Sequence, residues 1–66
     1  LDGLEMVSED WKIFEGKKVK VVFDDGRQIA IKEGIFLSAT QEYIFIKGKE
    51  KEEAISTNRI IRVELL

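Results

Sequence analysis

Side chains that could do nucleophilic or acid–base chemistry lack partners in this sequence. The chain contains no histidine and no cysteine, so no imidazole is present to activate a hydroxyl nucleophile. The hydroxyl residues are Ser8, Ser38, Thr40, Ser56 and Thr57. The same absence removes the usual ligands of zinc and excludes a disulfide.

The carboxylates that remain fall in segments typical of turns. Asp24 and Asp25 stand before Gly26, where aspartate favours turn geometry and water is poorly excluded. The glutamates of segment 50–53 alternate with lysines, which indicates a solvated, self-neutralising loop rather than a calcium or magnesium site. A glycine-rich phosphate-binding loop is also missing. We therefore expect no enzyme, no metal and no cofactor.

Length and charge limit the function further. Sixty-six residues form one domain, 1–66, and a chain this short is marginally stable unless packing is good or copies associate. Thirteen acidic residues against eleven basic ones give a net charge of −2. A general nucleic-acid binder normally carries a basic excess. The composition therefore argues against strong non-specific binding of nucleic acid.

The chain also lacks the marks of a membrane or secreted protein. Its longest uncharged apolar run, 35–39, is far shorter than the roughly 20 residues that cross a bilayer. The N-terminal residues show no basic region followed by an apolar stretch, so we expect a cytoplasmic location and no membrane partner. The abundance of Glu, Lys and Ile, without Cys or His, is typical of thermophilic sources.

The N-terminal segment carries a helical pattern. Leu4, Val7, Trp11 and Phe14 recur at spacings of three, four and three, which predicts a short helix over about 4–14. The glycine two residues later is placed to end it. The apolar stripe indicates packing onto a sheet, and the alternative is that Trp11 and Phe14 stack on a ligand.

From Lys17 the period changes to two, which predicts strands. The predicted strands cover 17–24, 27–37, 43–47, 53–56 and 60–65. Asp25-Gly26 is a strong hairpin signal, and Gly34 inside the second strand indicates a bulge or bend. The predicted fold is mainly β, a short N-terminal helix followed by a five-stranded antiparallel SH3-like or Sm-like barrel over about 17–65.

The order of these features resembles the Sm-like family, which includes the Sm and LSm proteins and bacterial Hfq. The resemblance rests on the helix, Val19-Lys20-Val21, Asp25-Gly26, Gly34 and the strand–turn–strand end. In the family the second glycine follows the first by five residues, whereas Gly26 and Gly34 are eight apart. Thr40 and Ile44 stand where the family has the Asp and Asn of its RNA site.

The second motif of the family keeps its spacing. Ile55, Ile60 and Val63 occupy its apolar positions, while Ser56-Thr57 replaces the usual Arg-Gly. The residues that build the family's barrel are thus kept and those that read RNA are lost. A generic SH3-like barrel would show much of the same pattern.

Two functions follow as alternatives, because fold alone does not fix function. One is a non-catalytic Sm-like module that binds RNA or a ribonucleoprotein. The other is a protein-interaction or assembly module with no nucleic-acid role. The candidate nucleic-acid residues lie near strand ends or in the fifth strand, and they are Tyr43, Lys47, Asn58, Arg59 and Arg62. Tyr43 could stack on a base; packing at the barrel rim, and an ion-paired surface for the basic residues, are the alternatives.

Self-association is the remaining expectation. Unpaired edges invite pairing with another chain, and here the edges are the fourth and fifth strands. The fifth strand is expected to bury Ile61, Val63 and Leu65 on one face and to leave Ile60 and Leu66 in water. The Sm-like resemblance implies that the fourth strand of one copy pairs with the fifth strand of the next, closing a ring.

Overall fold

The computed structural model describes residues 8–66, with side chains from Trp11 onward. Its elements in chain order are a 3-10 helix η1 (Ser8–Phe14), β1 (Lys18–Asp24), β2 (Ile29–Ala39), β3 (Tyr43–Lys47), β4 (Glu52–Ser56), a 3-10 helix η2 (Thr57–Arg59) and β5 (Ile60–Leu65). The predicted mainly β fold with five antiparallel strands is confirmed. The bounds of β3 and β5 are as predicted, and β2 begins and ends two residues later than predicted.

The N-terminal helix has a different winding from the one the spacing predicts. It is a 3-10 helix over Ser8–Phe14, and the predicted residues 4–7 lie outside the described part of the chain. Three residues per turn place Trp11 and Phe14 on one side. Both rings contact Phe36 of β2, with centroid distances of 5.8 and 5.7 Å. The helix is therefore held on the sheet by aromatic packing, and Gly16 follows it with a φ of 77°.

The strands form one sheet in the order β4-β3-β2-β1-β5, with every neighbouring pair antiparallel. One face of this sheet, here called the core face, carries the buried side chains. They are Val19, Val21, Phe36, Ile44, Ile46 and Ile55, joined by Trp11 from η1. The opposite, outer face mixes charged side chains with the exposed isoleucines of β2, which are Ile29, Ile31 and Ile35, and Val22 is buried there between its register partners Ile31 and Arg62. The strand order leaves β4 and β5 at the two edges, and closure into a barrel stays a prediction.

The β1–β2 connection is a loop over residues 25–28, which is why β2 starts at Ile29 rather than at Arg27. Asp25 Oδ1 accepts hydrogen bonds from the backbone N–H groups of Arg27 and Gln28, both at 2.9 Å. Asp24 Oδ1 accepts one from Gly26 N–H at 2.8 Å. The two carboxylates thus stabilise the turn, which is the role that the sequence predicts for Asp24 and Asp25.

Gly34 is needed for a reason other than the predicted bulge. Its φ is not positive, it pairs regularly with Val19, and the register shift of β2 falls between Phe36 and Ser38. A Cβ on Gly34 would lie 2.5 Å from the carbonyl oxygen of Lys47 and 2.7 Å from Cγ2 of Ile46. Only glycine lets the β3 backbone approach β2 this closely across the core face.

A bulge changes the predicted facing at the start of β5. Arg62 pairs with Val22 and Ile60 pairs with Phe23, which leaves Ile61 as the extra residue. Ile60 consequently packs against the core, and Val63 does so as predicted. Ile61 is 51% exposed and Leu65, although in register with Val19, is 52% exposed because it lies at the sheet edge. The expectation that Ile60 lies in water and Ile61 is buried is therefore wrong.

Candidate functional site

The short helix η2 connects β4 to β5 and packs against the β2–β3 turn, residues 40–42, and both segments carry polar side chains. Thr57 donates through its backbone N–H to the carbonyl of Glu42 (2.8 Å) and through Oγ1 to the carbonyl of Gln41 (2.7 Å). The hydroxyl of Ser56 donates to Oδ1 of Asn58 at 2.7 Å. These bonds hold η2 against the β2–β3 turn, so side chains on both segments keep fixed relative positions.

Three of the five candidate nucleic-acid residues lie around η2. Tyr43 and Asn58 line the same polar cleft, and Tyr43 is 45% exposed. Asn58 and Arg59 line an adjoining cleft together with Gly26 of the β1–β2 loop. We call Tyr43, Asn58 and Arg59 the η2 cluster. An exposed aromatic ring beside an amide and a guanidinium has the chemistry to stack on a base and contact a phosphate.

The β1–β2 loop adds negative charge beside the η2 cluster. The backbone N–H groups of Arg27 and Gln28 hold the pKa of Asp25 below its usual value, and the nearby charge of Arg59 lowers that pKa further. A guanidinium nitrogen of Arg59 lies 3.1 Å from the position that a Cβ on Gly26 would take. The guanidinium therefore lies over the loop, close to the Asp25 carboxylate, and part of its charge is offset there.

The other two candidate residues lie elsewhere. Lys47 ends β3 four residues beyond Tyr43, a separation of about 13 Å along a strand. It is the register partner of Ile35 on the outer face. Arg62 lies on the outer face of β5, where it is bonded to Glu64. The five residues do not form one surface.

The edge of β5 was predicted as a site of self-association, and Arg62 is its one residue among the predicted nucleic-acid residues. This edge carries the exposed side chains Ile61 and Leu65, and between them the charged pair Arg62 and Glu64. Nζ of Lys20 lies 3.6 Å from Glu64. Arg62, followed by Lys20, holds the pKa of Glu64 below its usual value. The sequence signal for this edge was the Ile60-Ile61 doublet, since two adjacent apolar residues break strand alternation where a bulge occurs.

The other edge, β4, is charged. Glu52 and Glu53 begin the strand, directly after a turn that contains Lys49 and Lys51. Glu53 accepts a hydrogen bond of 2.6 Å from Nζ of Lys32, which holds the pKa of Glu53 below its usual value. Charged residues on an edge strand discourage pairing with another chain. Of the two edges, β5 is the more apolar.

A small cleft lies beside the β5 edge. It has a volume of about 260 Å³ and is lined by Trp11 and Phe14 of η1 and by Thr57, Ile60, Ile61, Arg62 and Val63. Trp11 is 5% exposed, and its Nε1 is the buried side-chain polar atom that lacks a partner in the region with described side chains. The cleft makes the core accessible next to the strand edge.

Among residues 8–66, no group of three or more carboxylates is placed to hold a metal ion. No helix in that range is long and apolar enough to span a bilayer. Comparison with protein-family models, with curated proteins and with solved structures finds no match to this chain.

Proposed function

We propose that this chain is a non-catalytic assembly module that associates with copies of itself through the edge of β5. The observation that carries the proposal is the pair of half-exposed apolar side chains, Ile61 and Leu65, on a strand whose outer side is unpaired within residues 8–66. Sheet edges with apolar side chains and free backbone N–H and C=O groups favour pairing with another strand.

The size of the domain supports association. A 66-residue chain without cysteine has no disulfide to stabilise it, so burial at an interface adds substantially to its stability. Covering a half-exposed isoleucine or leucine contributes about 1 kcal/mol per side chain. Ile61 and Leu65 from each of two chains would together contribute about 4 kcal/mol.

The fold that would present this edge is a small SH3-like or Sm-like barrel. In support, η2 has three residues and so advances the chain by about 6 Å. The end of β4 and the start of β5 are therefore neighbours in space, although they lie at opposite edges of the sheet order. The close approach of β3 at Gly34 indicates the strong coiling that closing such a sheet requires.

The test is the molar mass in solution, measured by light scattering over a tenfold concentration range. We expect the mass of the parent chain to rise with concentration and Ile61→Lys to stay monomeric. Ile31→Lys is the matched control, because Ile31 is similarly exposed but lies on central strand β2. A parent mass that stays at one chain would contradict self-assembly, and an Ile61→Lys variant that associates normally would move the contact away from β5.

RNA binding is a second candidate function, which we propose on the basis of the η2 cluster. Tyr43, Asn58 and Arg59 share adjoining clefts, and Tyr43 presents an open ring. The acidic net charge of −2 limits the affinity to what this one cluster supplies.

Fluorescence anisotropy with a short single-stranded RNA tests this candidate. Arg59→Glu should weaken binding several-fold, whereas Lys47→Glu, the same charge change at the far end of β3, should leave it nearly unchanged. Affinity should fall as salt rises. Absence of binding by the parent chain would remove the RNA candidate without affecting the assembly proposal.

A further inference from the structure

The sequence of β5 is complementary to itself when two copies run antiparallel. Placing Val63 opposite Val63 of a second copy sets Arg62 opposite Glu64 and Ile61 opposite Leu65. Every position from 61 to 65 then has a partner of matching chemistry. Opposite charges and apolar pairs directly across two strands stabilise a sheet, and like charges destabilise it.

Only one register has this property. Sliding one strand by two residues, the smallest shift that keeps both core faces on the same side, puts Arg62 opposite Arg62 or Glu64 opposite Glu64. Each alternative also places a charged residue opposite an apolar one. The edge therefore specifies its own alignment as well as exposing apolar surface.

The charges are already positioned for this contact. Arg62 and Glu64 lie on the outer face, bonded to each other and flanked by Lys20. In the paired arrangement, each of these two residues meets its opposite on the second copy, and the local pair becomes a cluster of two arginines and two glutamates. Arg62 and Glu64 of each copy thus gain a partner of opposite charge and stay partly exposed to solvent.

The apolar residues are positioned as well. Ile61 and Val63 line the cleft next to Trp11. In this register, Leu65 of the second copy lies opposite Ile61, at the mouth of that cleft. Its side chain would cover apolar surface that is open in the single chain. The β4 edge offers no comparable match, since Glu52 and Glu53 begin it.

We infer that β5 pairs antiparallel with β5 of a second copy around a two-fold axis at Val63, giving one continuous ten-stranded sheet. This inference rests on the proposed function and specifies its partner and register. It is a symmetric contact, in which the same surface is used twice. It differs from the head-to-tail β4–β5 ring that the Sm-like resemblance implies.

Complementary charge reversal tests the inference. Arg62→Glu alone would place glutamates opposite one another, and Glu64→Arg alone would place arginines opposite one another. We expect each variant to associate at least about tenfold more weakly than the parent chain. An equimolar mixture of the two should recover parent-like association, because each Glu then faces an Arg. Lys49→Glu and Glu50→Arg, the same charge changes in the β3–β4 turn, are the controls and should behave like the parent.

The outcomes separate the two proposals. Parent-like association by both single variants would overturn the β5–β5 contact while leaving self-assembly intact. Weak association that mixing does not rescue would overturn the register. Recovery in the mixture also shows that both variants are folded. A parent chain that remains monomeric throughout would instead overturn the proposed function itself.

Discussion

At the scale of single residues, Gly34 shows how a glycine can be required by space rather than by backbone angle. Its conformation is open to any residue, but the core-facing position of a Cβ is taken by the carbonyl oxygen of Lys47 and by Ile46. The sequence indicated a special position inside β2. It could not indicate why, because the obstacle belongs to β3, about a dozen residues further along the chain.

Gly34→Ala should therefore lower the free energy of unfolding by about 1–3 kcal/mol, the usual cost of forcing extra atoms into a packed site. Gly48→Ala is the control, since a Cβ there would meet its nearest neighbour, the carbonyl oxygen of Lys51, at an ordinary 3.6 Å. Urea denaturation of both variants measures the difference. Equal stability of the two would show that the β2–β3 approach is not tight.

Acid should destabilise the domain through Asp25. Two backbone N–H groups and Arg59 lower its pKa in the folded chain, so the unfolded chain binds a proton at higher pH than the folded one. The stabilisation is present above the unfolded pKa of about 4 and is lost as pH falls through the lower folded pKa. The urea midpoint of the parent should fall over this range.

Asp25→Asn isolates this effect, because the amide oxygen can still accept the two backbone hydrogen bonds but does not titrate. The fall of the urea midpoint with acid should be shallower in this variant than in the parent. Identical pH profiles for the parent and Asp25→Asn would contradict the role of Asp25.

At the scale of elements, alternation located the strands well and assigned their faces less well. The apolar pattern of Tyr43–Lys47 predicted the bounds of β3 correctly, and the run Ile60–Leu65 predicted those of β5. The predicted facing of β5 was right for Val63 and wrong for Ile60 and Ile61, because a bulge changes which residues point inward and four apolar residues in six fit either arrangement. Trp11 and Phe14 are three residues apart, a spacing that both α and 3-10 helices place on nearly the same face, so this pair could not show which winding η1 has.

Trp11 should be the main attachment of η1 to the sheet. Its ring stacks on Phe36 at an interplanar angle of 20°, so Trp11→Ala should cost about 3–5 kcal/mol and consume most of the stability of a domain this small. Trp11→Phe should cost much less, because it keeps an aromatic contact and loses no hydrogen bond at Nε1. Circular dichroism during urea denaturation compares the two. Equal losses would point to an acceptor for the indole N–H.

At the scale of the whole molecule, the folded sheet separates residues that the sequence grouped together. Lys47 and Arg62 were grouped with Arg59 because all lie near strand ends or in the last strand, yet Arg59 lies over the β1–β2 loop and Arg62 is bonded to Glu64. Strand ends can be read from a sequence, but which ends share one surface depends on the coiling of the sheet. The sequence predicted β5 as an edge strand, but which of its apolar side chains are exposed depends on the bulge.

Amide hydrogen exchange at two protein concentrations tests the assembly of the whole molecule most directly. If β5 pairs with β5 of a second copy, amides of Ile60–Leu65 that face away from β1 should exchange more slowly in the concentrated sample. Amides of the other edge strand, Glu52–Ser56, should exchange equally fast in both samples. Slower exchange confined to β4, or shared by β4 and β5, would contradict the symmetric pairing, and no change at either edge would contradict self-assembly through the sheet.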